Sequence, residues 1–206
     1  MSAPVVESVN TKYISIVPEN GEQFSPGQKI IYNLEPNIGF MKRDSYFVFD
    51  LLNTTADFGR YGLNALAGVH SIVENIRIYS KMTGVLLESC ENYGQIQGLI
   101  HQYGHDDRED IVAKEGVGIP CMAKFNALGG ASNRSLLECQ EIENQRLSPV
   151  DTAGNPKYTQ QRYIMSLRCG IFRYFDAERL IPILNFGGLR IEINLQRPEL
   201  VLQKLS

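Results

Sequence analysis

The chain has no tryptophan, three histidines and four cysteines in 206 residues. Cys90, Cys121, Cys139 and Cys169 stand far apart, with no Cys-x-x-Cys pair. The spacing that holds a structural zinc is therefore missing, and a reduced environment fits better than a disulfide framework. Positive charge is also scarce: 20 Lys and Arg face 23 Asp and Glu, a formal net charge of −3. A protein whose main work is gripping phosphate backbones needs clustered Lys and Arg, so sequence-specific nucleic-acid binding is not expected. The segment from Met1 to Asn10 carries one acid and no base, so it offers no basic arm to tether nucleic acid. No apolar stretch approaches the roughly 18 residues of a membrane span, and the start lacks the charged-then-apolar pattern of a secretory signal. These absences describe a soluble protein made in the cytosol, without a transmembrane segment. Asn53-Thr54-Thr55 and Asn133-Arg134-Ser135 fit the glycosylation sequon, which stays silent without a signal peptide.

Catalytic signatures are missing too. No His-x-His pair exists to start a cupin-type metal site, and Gly-x-Ser-x-Gly, the phosphate loop ending in Gly-Lys-Ser/Thr and a strand-borne Gly-x-Gly-x-x-Gly are all absent. Gly116-Val117-Gly118 reads as loop punctuation. One cluster has conceivable metal or acid–base chemistry: His101 and His105, followed by Asp106, Asp107, Glu109 and Asp110. Gly104 interrupts any helix that would set the two imidazoles on one face, and the Glu of a zinc-protease helix is lacking, so a solvated loop is the stronger reading. His70 reads as structural, and Cys169, on an apolar strand face, as a small hydrophobe. No catalytic, metal-binding or cofactor-binding residue is assigned, and no enzyme activity is expected.

What is present is 43% hydrophobic and 21% charged, a globular composition long enough to bury a core in one large domain. Its dominant signal is alternation with a period of two, the mark of pleated strands. Leu189, Ile191, Ile193 and Leu195 alternate with Arg190, Glu192 and Asn194, predicting a strand with one buried and one wet face, entered through a turn at Gly187-Gly188. Ile30, Tyr32 and Leu34 mark another strand. Residues 46 to 53 are apolar on both sides, predicting a strand covered outside by another element or a neighbouring subunit. Residues 73 to 80 and 84 to 89 predict a hairpin around Lys81 to Gly84, and residues 163 to 169 place Tyr163, Met165, Leu167 and Cys169 on one face. A run at 12 to 17, closed by Pro18, and an edge strand at Leu180 to Leu184, interrupted by Pro182, bring the count to about eight.

A single helix is expected, from Asn92 as N-cap with Ile96, Leu99, Ile100 and Tyr103 on one face and Gly104 as the stop. Gly94 and Gly98 weaken it. Residues 105 to 160 read as long loops with one short strand near 119 to 125. Tyr13, Tyr32, Tyr46, Phe47, Phe49 and Tyr163 lie in strand runs, which favours core or interface packing over ligand stacking. Phe172, Tyr174 and Phe175 crowd a non-strand segment of the kind common at protein interfaces. The fold class expected is all-β: an antiparallel eight-stranded jelly-roll sandwich with one short helix and long loops. It comprises an N-terminal segment 1–23 with a possible first strand, a jelly roll over 24–196, and a tail or linker 197–206 whose apolar residues suggest docking or connection to a second jelly roll.

Three stretches carry a family resemblance. Gly27 to Leu34 followed by Asp44 to Leu51, then Val73 to Ser80 with Leu87 to Tyr93, and finally Tyr163 to Phe172, Leu180 to Leu184 and Gly187 to Leu195 resemble the strand succession of double jelly-roll major capsid proteins. This is the hexon-like group of adenoviruses, virophages, polinton-like elements and giant-virus relatives. Such proteins hold two jelly rolls and this sequence supplies one, so it matches their N-terminal roll or a single-roll relative; the Met1 start and the apolar tail favour the former. The resemblance implies a capsid structural protein of the virion, made in the host cytosol, that self-assembles as a trimer into pseudo-hexagonal capsomers. Neighbouring capsomers and minor capsid or penton proteins would be its partners. The alternative is a jelly-roll module that binds carbohydrate or a receptor through its loops near 101 to 110.

Overall fold

The computed structural model describes residues 12–41, 45–52, 60–64, 67–103, 160–166, 168–173 and 180–205. Within them run β1 (Lys29–Leu34), β2 (Phe40–Met41), β3 (Tyr46–Leu52), β4 (Arg60–Leu63), β5 (Val73–Ser80), β6 (Leu86–Cys90), α1 (Tyr93–Tyr103), β7 (Gln160–Ser166), α2 (Gly170–Arg173), β8 (Ile181–Pro182), β9 (Leu189–Leu195), α3 (Pro198–Val201) and β10 (Leu202–Leu205). Setting aside the two-residue pair β2 and β8, eight strands of four residues or more remain, all antiparallel. The class is all-β and of jelly-roll type, as the alternation predicts.

The pairing shows how the roll is made. β1 pairs β9, β2 pairs β8 and β3 pairs β7, so the outer strands nest as one long antiparallel hairpin. β5 then lies on the other side of β9 and carries β6, giving a four-stranded sheet in the order β1-β9-β5-β6. Such folding-over of a long hairpin is the double-sheet solution that leaves few exposed edges.

Register turns sequence alternation into rows. Ile30, Ile193, Ile76 and Cys90 lie side by side across the four strands, with Tyr32, Ile191, Ile78 and Glu88 in the next row. The apolar members at the centre, on β5 and β9, are buried, and each contributes about 1.5–3 kcal/mol relative to exposure. Across the sandwich Phe47 of β3 meets Tyr32, ring centroids 5.1 Å apart, and burial pushes the Tyr32 hydroxyl pKa up. The opposite face of the sheet is polar: Lys29 Nζ donates to Glu192 Oε2 at 2.7 Å and Asn194 Nδ2 to Asn75 Oδ1 at 2.8 Å.

Several expectations change. Residues 12 to 18 form no strand. The outer edge of β1 is instead closed by a turn: Asn20 Nδ2 donates to the Lys29 carbonyl at 2.6 Å, its Oδ1 accepts from the Ile31 amide at 2.9 Å, and the Glu19 amide donates to the Ile31 carbonyl at 2.8 Å. One amide side chain thus stands in for a strand. The expected strand at 180 to 184 shrinks to β8, because Pro182 lacks an amide hydrogen and the chain turns at once into a 3₁₀ turn over Ile183–Phe186. Gly187 and Gly188 end that turn with φ of 61° and 97°, the freedom the sequence called for. Among the described residues there are, in addition to α1, two one-turn helices, α2 and α3. Beyond α3, whose Val201 is buried, β10 pairs with β4.

The helix itself presents a different face. Tyr93, Gly94, Gln97 and Gly98 are buried, whereas Ile96 and Leu99 are exposed. A side chain at 94 would collide with backbone of the 3₁₀ turn Gly68–Ile72, so Gly94 marks a close approach of α1 to the body. Asn92 is no β-region N-cap: its φ is 52°, and its carbonyl accepts from the Ile96 amide at 3.1 Å. The expected loops and short strand between 105 and 159 lie outside the described residues.

Candidate functional site

Alternation splits the β3–β7 ribbon into two faces. Phe47, Phe49, Leu51, Tyr163 and Met165 turn inward to the core, with the Phe49 and Tyr163 rings 6.3 Å apart. On the outer face Val48 stands opposite Ile164, Asp50 opposite Arg162 and Tyr46 opposite Ser166. Among the described residues no element of this chain covers it: Tyr46 is 51%, Val48 52%, Leu52 56% and Ile164 43% exposed, which leaves a neighbouring subunit as the expected cover. Amid them Arg162 Nε donates to Asp50 Oδ1 at 2.8 Å and Nη2 to Oδ2 at 3.0 Å, a two-pronged pair that holds the guanidinium pKa above its ordinary value. Exposed as it is, this pair adds little to stability. The face offers flat apolar area around one oriented ion pair, which suits contact between proteins better than the grasp of a small molecule.

The residues singled out for chemistry do not converge. His101 lies in the last turns of α1, while His105, Asp106, Asp107, Glu109 and Asp110 lie outside the described residues, as do Tyr174, Phe175, Asn53, Asn133 and Gly116 to Gly118. Among the described residues no three of His, Cys, Asp and Glu stand together as metal ligands, and no helix is long and apolar enough to cross a membrane. Phe172 is buried in the core rather than at a surface.

Two buried polar clusters escaped sequence reasoning. In the first, His70, fully buried, sets its Nδ1 3.1 Å from the Tyr93 hydroxyl, and the Arg168 amide donates to the same hydroxyl at 3.2 Å. Gln97 Nε2 donates to the Arg168 carbonyl at 3.1 Å beside it. These bonds tie α1 to the chain leaving β7. In the second, Glu88 turns to the core side of β6 and accepts from the Gly170 amide and, at 2.7 Å, from the Ile171 amide. It thereby caps α2 from another strand. Cys169, just before α2, is buried, and desolvation, with Glu88 and Cys90 close by, pushes its thiol pKa far up. Desolvation followed by Glu88 and Glu91 raises that of Cys90 as well. Neither setting favours the thiolate; Cys169 packs in the core, but in the bend after β7, which ends at Ser166, rather than on the strand face expected of it.

No protein-family model matches the chain, and no curated protein matches it. Among solved structures, it is similar to the PBCV-1 virus capsid, a quasi-atomic model, with 11% identity and a TM-score of 0.42 over 93% of this chain. The match covers 37% of that capsid chain, so this sequence spans little more than a third of its length.

Proposed function

We propose that this protein is a viral capsid subunit that works by self-association rather than catalysis, as a trimer building pseudo-hexagonal capsomers in the virion. The observation that carries the reading is the outer face of the β3–β7 ribbon. A soluble monomer rarely leaves much apolar sheet surface open, and Tyr46, Val48 and Ile164 adjoin on rigid strands, with Leu52 beyond the Asp50–Arg162 pair. The nested jelly-roll pairing and the strand succession described above support the same role. Burying such a face against a sister molecule supplies affinity through area and shape, with the Asp50–Arg162 pair fixing orientation.

The test is light scattering on the intact chain and on Val48→Lys and Ile164→Lys variants. The unaltered chain should form trimers or larger shells. Each variant should remain folded, with stability within about 0.5 kcal/mol of the parent, and lose assembly. A parent that stays monomeric at high concentration, or variants that assemble unchanged, would refute the proposal.

A further inference from the structure

The segment Lys12 to Val17 has the sequence of a strand without a ladder. Tyr-Ile-Ser-Ile-Val is rich in β-branched and aromatic residues, yet it pairs with no strand among the described residues. Tyr13 is 86% and Val17 71% exposed, and Ile14 is half exposed, while Ile16 packs against the core. The segment leaves the body beside β1, whose own edge is already occupied by Glu19 and Asn20. It therefore cannot dock on the edge nearest to it.

At the far side of the same sheet lies β6, with Val85 and Leu86 exposed beside it. In the order β1-β9-β5-β6 it has β5 on one side and no ladder neighbour on the other among the described residues. An uncovered strand edge is a template for an incoming extended chain. We infer that residues 12–17 of one copy add as an antiparallel strand to the β6 edge of a second copy. The lengths match, six residues against the five of Leu86–Cys90. Antiparallel addition centred on Ser15 and Glu88 sets Val17 beside Leu86, Ile16 beside Leu87 and Lys12, the one charge of the segment, beside Glu91. Donor and acceptor sit at opposite edges of one sheet, so the contact is head-to-tail, and a head-to-tail contact that closes makes a ring.

This inference rests on the reading of the chain as a self-assembling subunit and deepens it, but its test is separate. Intact chains carrying Ile14→Cys and intact chains carrying Ser89→Cys are mixed under oxidised glutathione, and the cross-linked peptides are mapped by mass spectrometry. Residues directly opposite on antiparallel strands lie within disulfide reach. A disulfide joining Cys at 14 of one copy to Cys at 89 of another is the expected result. Assembly by light scattering without that cross-link would overturn the arm and leave the capsid reading standing. The cross-link without any closed oligomer would support the arm and overturn the capsomer. As a second variant, Ile14→Pro removes an amide from the added ladder and should weaken association about ten-fold while leaving the unfolding transition unchanged. Unchanged association would count against the arm.

Discussion

Gly94 of α1 lies against the carbonyl oxygen of His70, so near that a Cβ at position 94 would stand 2.8 Å from it, with Ser71 Cα at 3.0 Å and the Val73 carbonyl oxygen at 3.2 Å. All three neighbours are backbone, and none can swing aside. The helix reaches the sheet through the absence of a side chain, which is why Gly94, a poor helix former in isolation, belongs where it is.

Gly94→Ala should therefore destabilise the fold. Better helix propensity would return about 1 kcal/mol, while forcing a methyl against backbone costs about 1–3 kcal/mol or more. Urea denaturation should show a net loss on the order of 1 kcal/mol. Gln95→Ala, on the exposed side of the same turn, should change stability by less than about 0.5 kcal/mol. If the alanine at 94 raised the urea midpoint, the close approach would be disproved.

Tyr93 offers a second test of the same junction. Its hydroxyl meets both His70 Nδ1 and the Arg168 amide, so Tyr93→Phe keeps the ring packing and removes one partner from each. Loss of a buried hydrogen-bond partner costs about 1–3 kcal/mol. The expected signature is that loss in denaturant midpoint, with faster amide exchange at Arg168. Unaltered exchange there would mean that the hydroxyl does not hold the chain leaving β7.

The strands were legible in the sequence because burial on one face of a pleat leaves a local trace every second residue. The row from Leu189 to Leu195 needs no knowledge of its neighbours. The helix was legible in place but not in orientation. Counting apolar residues favours Ile96 and Leu99, whereas the buried face carries Tyr93, Gly94, Gln97 and Gly98, and Gly94 makes its close approach because it is small. Asn20 as a stand-in strand, and Glu88 as a cap turned toward the core, were not legible either. Each acquires its role from a segment distant in sequence, the β1 edge and α2 respectively. The apolar character of residues 46 to 53 was plain, but alternation alone cannot say whether its outer face meets an element of the same chain or another molecule.

Glu88 and Gly170 are coupled in a testable way. A Cβ at 170 would come within 2.9 Å of Glu88 Oε1, so Gly170→Ala and Glu88→Gln disturb one cap from its two sides. Each should cost about 1–2 kcal/mol, and the double variant should cost less than the sum because the contact can be lost only once. Additive losses in a double-mutant cycle would show that the cap does not join them.

Stability should also depend on acid through Glu192. Burial pushes its carboxyl pKa up, but the hydrogen bond and charge of Lys29, with those of Arg190, outweigh burial and hold it below the ordinary carboxylate value. Lys29 Nζ lies 2.7 Å and Arg190 Nη2 2.9 Å from its oxygens. A carboxyl with a lower pKa in the folded than in the unfolded state stabilises the fold above the unfolded value, about 4.3. That contribution is lost as pH falls through the folded pKa. Glu192→Gln keeps the shape and removes the charge, so it should cost about 1 kcal/mol at pH 7 and progressively less below about pH 4, where the parent carboxyl is itself protonated. Denaturation curves at pH 7 and pH 3 would settle it: a difference between parent and variant that stayed constant with pH would show that the ion pair contributes nothing, and that Glu192 serves the sheet by its shape alone.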